Sequence, residues 1–233
     1  MGDTTTKTLY CIRHGESTYN EWRSRSLWNF SWLWVRDPMI VDAPLSAKGK
    51  KQVAILHDLI KSKQLDEKIE LIITSPLTRA IETTIGAFQD TKIPITVEPL
   101  CREMLDTACD IGRRPTDLEQ QFLSQAKINF SFLDQFWWLE MEKFPRTGPN
   151  SAPLTSVVAP KVADEVMILR ESREELDARI WKFVAKLAER PEQHIAVVGH
   201  SAFFKRMLGM NRKLNNCELH ETLLGDIQIH YSQ

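Results

Sequence analysis

Apolar residues recur along this chain in two alternating rhythms, and the alternation predicts a fold. Short apolar runs at 8–13, 70–74, 94–98 and 194–198 read as strands. Between them the spacing turns helical. Over 46–62, Val53, Leu56, Leu59 and Ile60 fall on one face. Over 172–190, Leu176, Ile180, Val184 and Leu187 do the same, and Ser172 with Glu175 makes a capping box. Further helices are expected over 76–88, with Ser75 as N-cap and Pro76 as first helical residue, and over 201–208. A last strand is expected near 226–231. Strands alternating with helices predict an α/β protein: a three-layer sandwich with a mostly parallel central sheet and helices on both faces.

Two segments stand outside the alternation. Residues 22–38, WRSRSLWNFSWLWVRDP, carry Trp22, Trp28, Trp32 and Trp34 among arginines. Residues 101–160 hold the FWW run at 136–138 and a Pro/Ser/Thr-rich stretch at 145–160 that reads as an exposed loop. Aromatic residues at helix-like spacing are usually buried, so the tryptophans are expected to pack in a core or cap in preference to forming a docking surface. No repeat or low-complexity linker divides the chain. The simplest organisation is one domain over 1–233 with cap-like insertions near 22–42 and 104–165.

Bulk properties narrow the classes. The chain has 233 residues, a formal net charge of −1 and a pI near 6.6, so neither nucleic acid nor an anionic membrane is an expected partner. Cys11, Cys101, Cys109 and Cys217 show no C-x-x-C spacing, and the histidines at 14, 57, 194, 200, 220 and 230 are scattered, so no metal site is expected. No apolar run approaches the ~18 residues of a membrane span. The start MGDTTTK lacks a signal peptide's apolar region. Met1-Gly2 with Thr6 matches the bare myristoylation pattern, but Asp3 is unhelpful and no polybasic patch follows; a free N-terminus on a cytoplasmic protein is the expectation.

The chemistry gathers where strands end. TLYCIRHGESTYN (8–20) runs a strand straight into Arg13-His14-Gly15. Gly15 lets the backbone bend and an anion approach, and Arg13 adds permanent charge. HIAVVGHSAFFKRML (194–208) repeats the layout with Gly199, His200 and Ser201, and LIITSPLTRAIETT (71–84) places Arg79 in an opening helical turn. Three strand ends thus deliver His14, Arg79 and His200 to one rim, the edge where open α/β sheets bind ligands.

The chain resembles the histidine phosphatase superfamily, which contains cofactor-dependent phosphoglycerate mutases and many phosphomonoesterases. The resemblance rests on Arg13-His14-Gly15-Glu16-Ser17 with Asn20, then Leu45-Ser46 with Gly49 and Gln52. It continues through Ser75 to Ala80 with Thr83 and Thr84, then Leu100 to Glu103, and ends with Gly199-His200. It implies that a neutral His14 attacks phosphorus to form a phosphohistidine that water later hydrolyses. Arg13 and Arg79 would fork onto phosphate oxygens, while His200 and Asn20 donate to the same group. Glu103 matches the family's usual acid, with Asp106 and Asp110 as rivals. Arg102, Arg113 and Arg114 could hold a second anionic group of the substrate or be solvated surface.

Two departures matter. Phosphoglycerate mutases usually follow the acid with an Arg-His-Tyr-Gly-like run, whereas Glu103 here is followed by MLDTACD. Ser201 stands where a glycine commonly follows the second histidine, with its backbone N–H still available to substrate. The expected function is a metal-independent phosphatase hydrolysing a phosphomonoester through a phosphohistidine, without a cofactor. Its substrate would be a small phosphorylated metabolite or a phosphoprotein. The alternatives are a 2,3-bisphosphoglycerate-dependent phosphoglycerate mutase and a weakly active family member that binds a phospho-ligand or partner.

Overall fold

The computed structural model describes residues 7–139 and 159–227. Six strands form one sheet: β1 (Thr8–Arg13), β2 (Leu71–Thr74), β3 (Ile95–Val97), β4 (Ile128–Asn129), β5 (His194–Gly199) and β6 (Leu219–Leu223). Their spatial order is β4-β3-β2-β5-β1-β6, with every neighbouring pair parallel except β6 against β1. Eight helices accompany them: α1 (Thr18–Trp28), α2 (Ala47–Ser62), α3 (Leu65–Lys68), α4 (Thr78–Ala87), α5 (Pro115–Phe122), α6 (Ala163–Ile168), α7 (Arg173–Ala188) and α8 (Ser201–Met207).

The period-two alternation of the strands divides the core into two layers. Tyr10, Ile12, Ile72, Ala196 and Val198 pack with Val53, Leu56 and Ile60 of α2 and with Ala80 and Ile81 of α4. Leu9, Cys11, Ile73, Ile195 and Val197 pack with Leu176, Ile180 and Phe183 of α7 and with Phe203 and Phe204 of α8. Burying each such side chain contributes about 1.5–3 kcal/mol, so the central strands are fixed from both sides. This is the three-layer α/β sandwich the alternation predicts.

Helix starts are set by side-chain oxygens. Ser46 Oγ accepts from Gly49 N at 3.0 Å and caps α2; Ser172 and Glu175 close the expected capping box on α7. The start of α4 departs from expectation. The helix begins at Thr78 after Leu77, and Ser75 does not cap it. Asp42 takes that part from a distant loop, its carboxylate accepting from Thr78 N and from Thr78 Oγ1. Ser75 Oγ instead meets His200.

Other expectations are corrected. The last strand lies at Leu219–Leu223, an edge strand on β1, and Leu224–Asp226 is a single tight turn. Of the strand expected near 226–231, Asp226 closes the tight turn and Ile227 follows it, and 228–231 lie outside the described residues. Leu59 is exposed although Val53, Leu56 and Ile60 are buried, because it falls at the edge of α2's apolar stripe. The tryptophans divide. Trp22 packs on Tyr19, and Trp137 and Trp138 are buried, but Trp28 and Trp34 are 89% and 83% exposed and Trp32 is about half exposed. Helix α1 turns its Tyr19 face inward and ends at Trp28, so the residues after it have no layer to cover them. The MGDTTT start and 145–158 of the Pro/Ser/Thr-rich stretch lie outside the described residues. Among the described residues, no helix is long and apolar enough to cross a membrane.

Gly49 explains how α2 grips the loop after β1. A Cβ built there would meet the Glu16 carbonyl oxygen at 2.0 Å. In an open helix Gly→Ala would stabilise by about 0.5–1 kcal/mol. Here Gly49→Ala is expected to destabilise by about 1–3 kcal/mol, as overpacking does, seen as a lower urea midpoint. An unchanged or raised midpoint would contradict the close approach.

Candidate active site

Registry puts the two histidines side by side. Arg13 pairs with Gly199 at the last position of the β1–β5 ladder, and His14 N then donates to Gly199 O at 3.0 Å. The next residue on each strand is a histidine, and the imidazole centroids lie 5.1 Å apart. Ser75 N donates to Val198 O at 3.0 Å, which draws the end of β2 into the same rim.

The loop after β1 is tied on every side. Gly15 N donates to Thr83 Oγ1 at 3.0 Å, Glu16 N to Gln52 Oε1 at 2.8 Å, and Asn216 Nδ2 to His14 O at 2.9 Å. The Glu16 carboxylate accepts from Ser46 Oγ and Lys48 Nζ. His14 Nδ1 donates to Gly15 O at 2.6 Å. That bond places the ring proton on Nδ1 and leaves Nε2 with its lone pair. His200 is fully buried behind His14, with Nε2 2.7 Å from Ser75 Oγ and Nδ1 lacking any partner.

Arg13 Nη1 donates to Leu214 O at 2.6 Å, while its buried Nε has no acceptor. Arg13 Nε, a buried donor at the cleft with no acceptor among the described residues, is what an anion site leaves over. Arg79 is aimed by Cys109 O at 2.5 Å and Asp110 Oδ1 at 2.8 Å. Asp110 Oδ2 accepts in turn from Asp106 N and Thr107 N, which commits Asp110 to positioning Arg79. Asn20 Oδ1 accepts from Ser17 N at 3.2 Å in the capping box of α1, which turns its amide nitrogen the other way.

Glu103 meets the start of α8. Its Oε1 accepts from Phe203 N and Met104 N, and its Oε2 from Ala202 N at 3.2 Å and Ser201 Oγ at 3.4 Å. Beneath it, Arg179 binds Glu171 through two bonds of 2.7 and 2.6 Å and donates to the carbonyls of Leu100 and Arg102. Removing one partner of such a buried pair costs about 3–5 kcal/mol. Arg179 and Glu171 were invisible as site residues in the sequence, since they act by holding the backbone that carries Glu103.

These residues border one cleft of about 680 Å³, lined by Arg13, His14, Asn20, Arg79, Glu103 and Ser201 among others. His200 does not line it. Asp106 does, at the exposed rim beside Arg170. Arg102, Arg113 and Arg114 do not, which corrects the idea that they receive a second anion. Arg102 is buried against Glu171, Arg113 is held by Asp42 and Thr78, and Arg114 is exposed at the start of α5. The unanticipated cations at the cleft are Arg23, Arg173 and Lys213. Only Arg23 had a local signal: it follows Asn20 by three residues, the helical spacing for a shared face. Among the described residues, no group of three or more His, Cys, Asp and Glu could hold a metal ion.

Burial and the Arg79 guanidinium, with His14 and Arg13 beside them, hold both imidazoles well below the ordinary histidine value. Both are therefore neutral near neutrality, with the His14 Nε2 lone pair free of a proton.

An α/β sheet presenting a histidine pair and two arginines at its carboxyl edge defines a class of phosphoryl-transfer folds. The chain belongs to the histidine phosphatase superfamily (branch 1), whose family profile matches residues 9–148. It is 26% identical to a phosphoglycerate mutase-like protein of Arabidopsis thaliana, across 94% of this chain and 85% of that protein. It is 36% identical to a probable phosphatase of Schizosaccharomyces pombe across 50% of each chain. Among solved structures, the alpha-ribazole phosphatase of Shigella flexneri shares the fold with a TM-score of 0.53 at 21% identity, covering 92% of this chain and 89% of that one.

Neutral buried histidines make stability depend on pH with a definite sign. Below about pH 6.5 the unfolded chain takes up protons that the folded site refuses, so stability falls as pH drops, by up to about 1.4 kcal/mol per unit for each histidine. Urea unfolding at about pH 7 and about pH 5.5 is expected to show this loss, and His200→Gln should reduce it. Equal losses in both proteins would refute a neutral, buried His200.

Proposed function

We propose that this protein is a phosphomonoesterase that works through a phosphohistidine on His14 and needs no metal. The observation that carries the reading is the His14 Nδ1 bond to Gly15 O at 2.6 Å, which leaves the Nε2 lone pair available beside Arg13 and Arg79. Nε2 attacks phosphorus as the bond to the leaving oxygen breaks, in line. Arg13 and Arg79 spread over the equatorial oxygens, Asn20 adds its amide N–H, and His200 stabilises the charge behind His14. Glu103 passes a proton to the departing oxygen. Water then cleaves the N–P bond, releasing phosphate and restoring His14. Family membership supports the covalent step, since the phosphohistidine is the superfamily's general mechanism. The cytoplasm is the compartment in keeping with this reading.

A labelled phosphomonoester quenched rapidly in base is expected to leave acid-labile label on the protein, and His14→Ala should abolish label and turnover, with a chelator leaving the native rate intact. Full activity in His14→Ala would sink the assignment. In a mixture of 3-phosphoglycerate and 2,3-bisphosphoglycerate, little 2-phosphoglycerate should form, because the run that follows the acid in mutases is missing after Glu103. Efficient interconversion would make the protein a mutase.

The acid has its own test. Glu103→Gln should slow an alkyl phosphomonoester far more than p-nitrophenyl phosphate, whose leaving group departs without a proton. General-acid assistance is typically worth ~10²–10⁴-fold, which bounds the divergence expected in kcat. A uniform loss on both substrates would give Glu103 a positioning role and move the acid to Asp106.

A further inference from the structure

The cleft above His14 continues past Met104 and Ala202 into a second cavity of about 530 Å³ between α7 and α8. Met104, Ala202, Arg173 and Lys213 line both spaces, so the two are contiguous. The floor of the second is apolar, formed by Leu176, Ile180 and Met210 with Met104. Its rim is basic. Arg173, Lys205 and Lys213 are exposed there and make no ion pair among the described residues. Asp177 is the acid among the lining residues, and Arg206 already holds both its oxygens at 2.5 Å. A phosphoryl group needs only the first space; the second is where a leaving group would lie.

We propose that the substrate is a small phosphomonoester with a second anionic group, a carboxylate or a phosphate, held by Arg173 and Lys213 while its carbon body rests on Met104, Leu176 and Ile180. This rests on the phosphatase reading and specifies its leaving group. Arg173 presents a planar fork suited to either anion, and Lys213 a movable point charge on the facing loop. Cations that make no ion pair among the described residues along a cleft wall raise the local concentration of an anionic ligand and set its orientation. The reacting phosphate meets a different set, Arg13 and Arg79, so the two ends of the molecule are told apart. The floor between two helices suits a compact molecule better than an extended peptide.

Four aryl phosphates of matched size test this: phenyl phosphate, 4-(hydroxymethyl)phenyl phosphate, 4-carboxyphenyl phosphate and 1,4-phenylene bisphosphate. In the native protein, kcat/KM for the carboxylate or the bisphosphate is expected to exceed that for the two esters with uncharged para substituents by about tenfold or more, the scale of one charge-assisted bond. The arm with the larger ratio tells carboxylate from phosphate. In Arg173→Gln/Lys213→Gln the ratio, taken within that one protein, should fall toward unity. A native ratio near one, or a ratio that survives the double substitution, would overturn the subsite. So would a phosphopeptide with uncharged flanks turned over faster than every dianionic ester. If no ester is hydrolysed, the phosphatase reading fails separately. The subsite is then judged by calorimetry on His14→Ala, where the same four compounds should bind in the same order and the added Gln substitutions should erase that order.

Discussion

Everything at the functional rim depends on one register, that of β1 on β5. Arg13 opposite Gly199 ends the ladder, and the His14 N–H bond to Gly199 O extends it by one step. A slip of a single residue would send one histidine to the opposite face of the sheet. The hydrophobic layers forbid that slip. Leu9 and Cys11 face one layer, Tyr10 and Ile12 the other, and the strand has matching apolar residues on both sides. Gly199 adds a local condition, since a Cβ there would come within 3.0 Å of Phe204 Cζ. The geometry of the rim is thus set by core packing below it.

Charged pairs form the second tier of that scaffold. Arg79 with Asp110 and Arg113 with Asp42 and Thr78 join residues far apart in the chain, while Arg179 with Glu171 spans only eight positions. Buried pairs of this kind add little net stability because desolvation offsets attraction, but each has an orientation that a hydrophobic contact would lack. Their effect here is to fix direction. Asp110 points one face of Arg79, Glu171 secures Arg179 beneath the 100–103 backbone, and Asp42 starts the helix that carries Arg79.

The same distinction explains what could be read from the sequence. Strand β1 was legible to the residue, and α2 and α7 nearly so, because apolar spacing and Ser caps are local signals. The meeting of Arg13, His14, Arg79 and His200 was legible because the sheet brings strand ends together. Arg13 ends β1, His14 and His200 directly follow β1 and β5, and Arg79 lies in the first turn of the helix after β2. Glu103's meeting with the α8 N–H groups was not, since it joins segments about a hundred residues apart. Arg173 and Lys213 carry no motif, and their convergence depends on how α7 and the loop after α8 are placed. Arg102, Arg113 and Arg114 looked like anion forks by composition alone, while Arg102 and Arg113 meet acids and a hydroxyl that only the tertiary structure supplies and Arg114 is exposed away from the cleft. The exposed tryptophans show the limit of periodicity, which marks apolar residues without saying whether anything lies against them.

Those tryptophans give the molecule an optical property. Trp28 and Trp34 face water while Trp137 and Trp138 are enclosed in the core, so the indole emission divides into a red, quencher-accessible population and a blue, protected one. Most of the red population, Trp28, Trp32 and Trp34, lies at and just after the end of α1, whose Tyr19, Asn20, Arg23 and Leu27 form one wall of the cleft, while half-exposed Trp181 lies apart on α7. A molecule large enough to rest on that wall and reach past Leu27 would dim or shift the red emission and leave the blue unchanged, whereas loss of the core would shift the blue. The protein carries its own label at the mouth of its cleft, and a second, independent one in its interior.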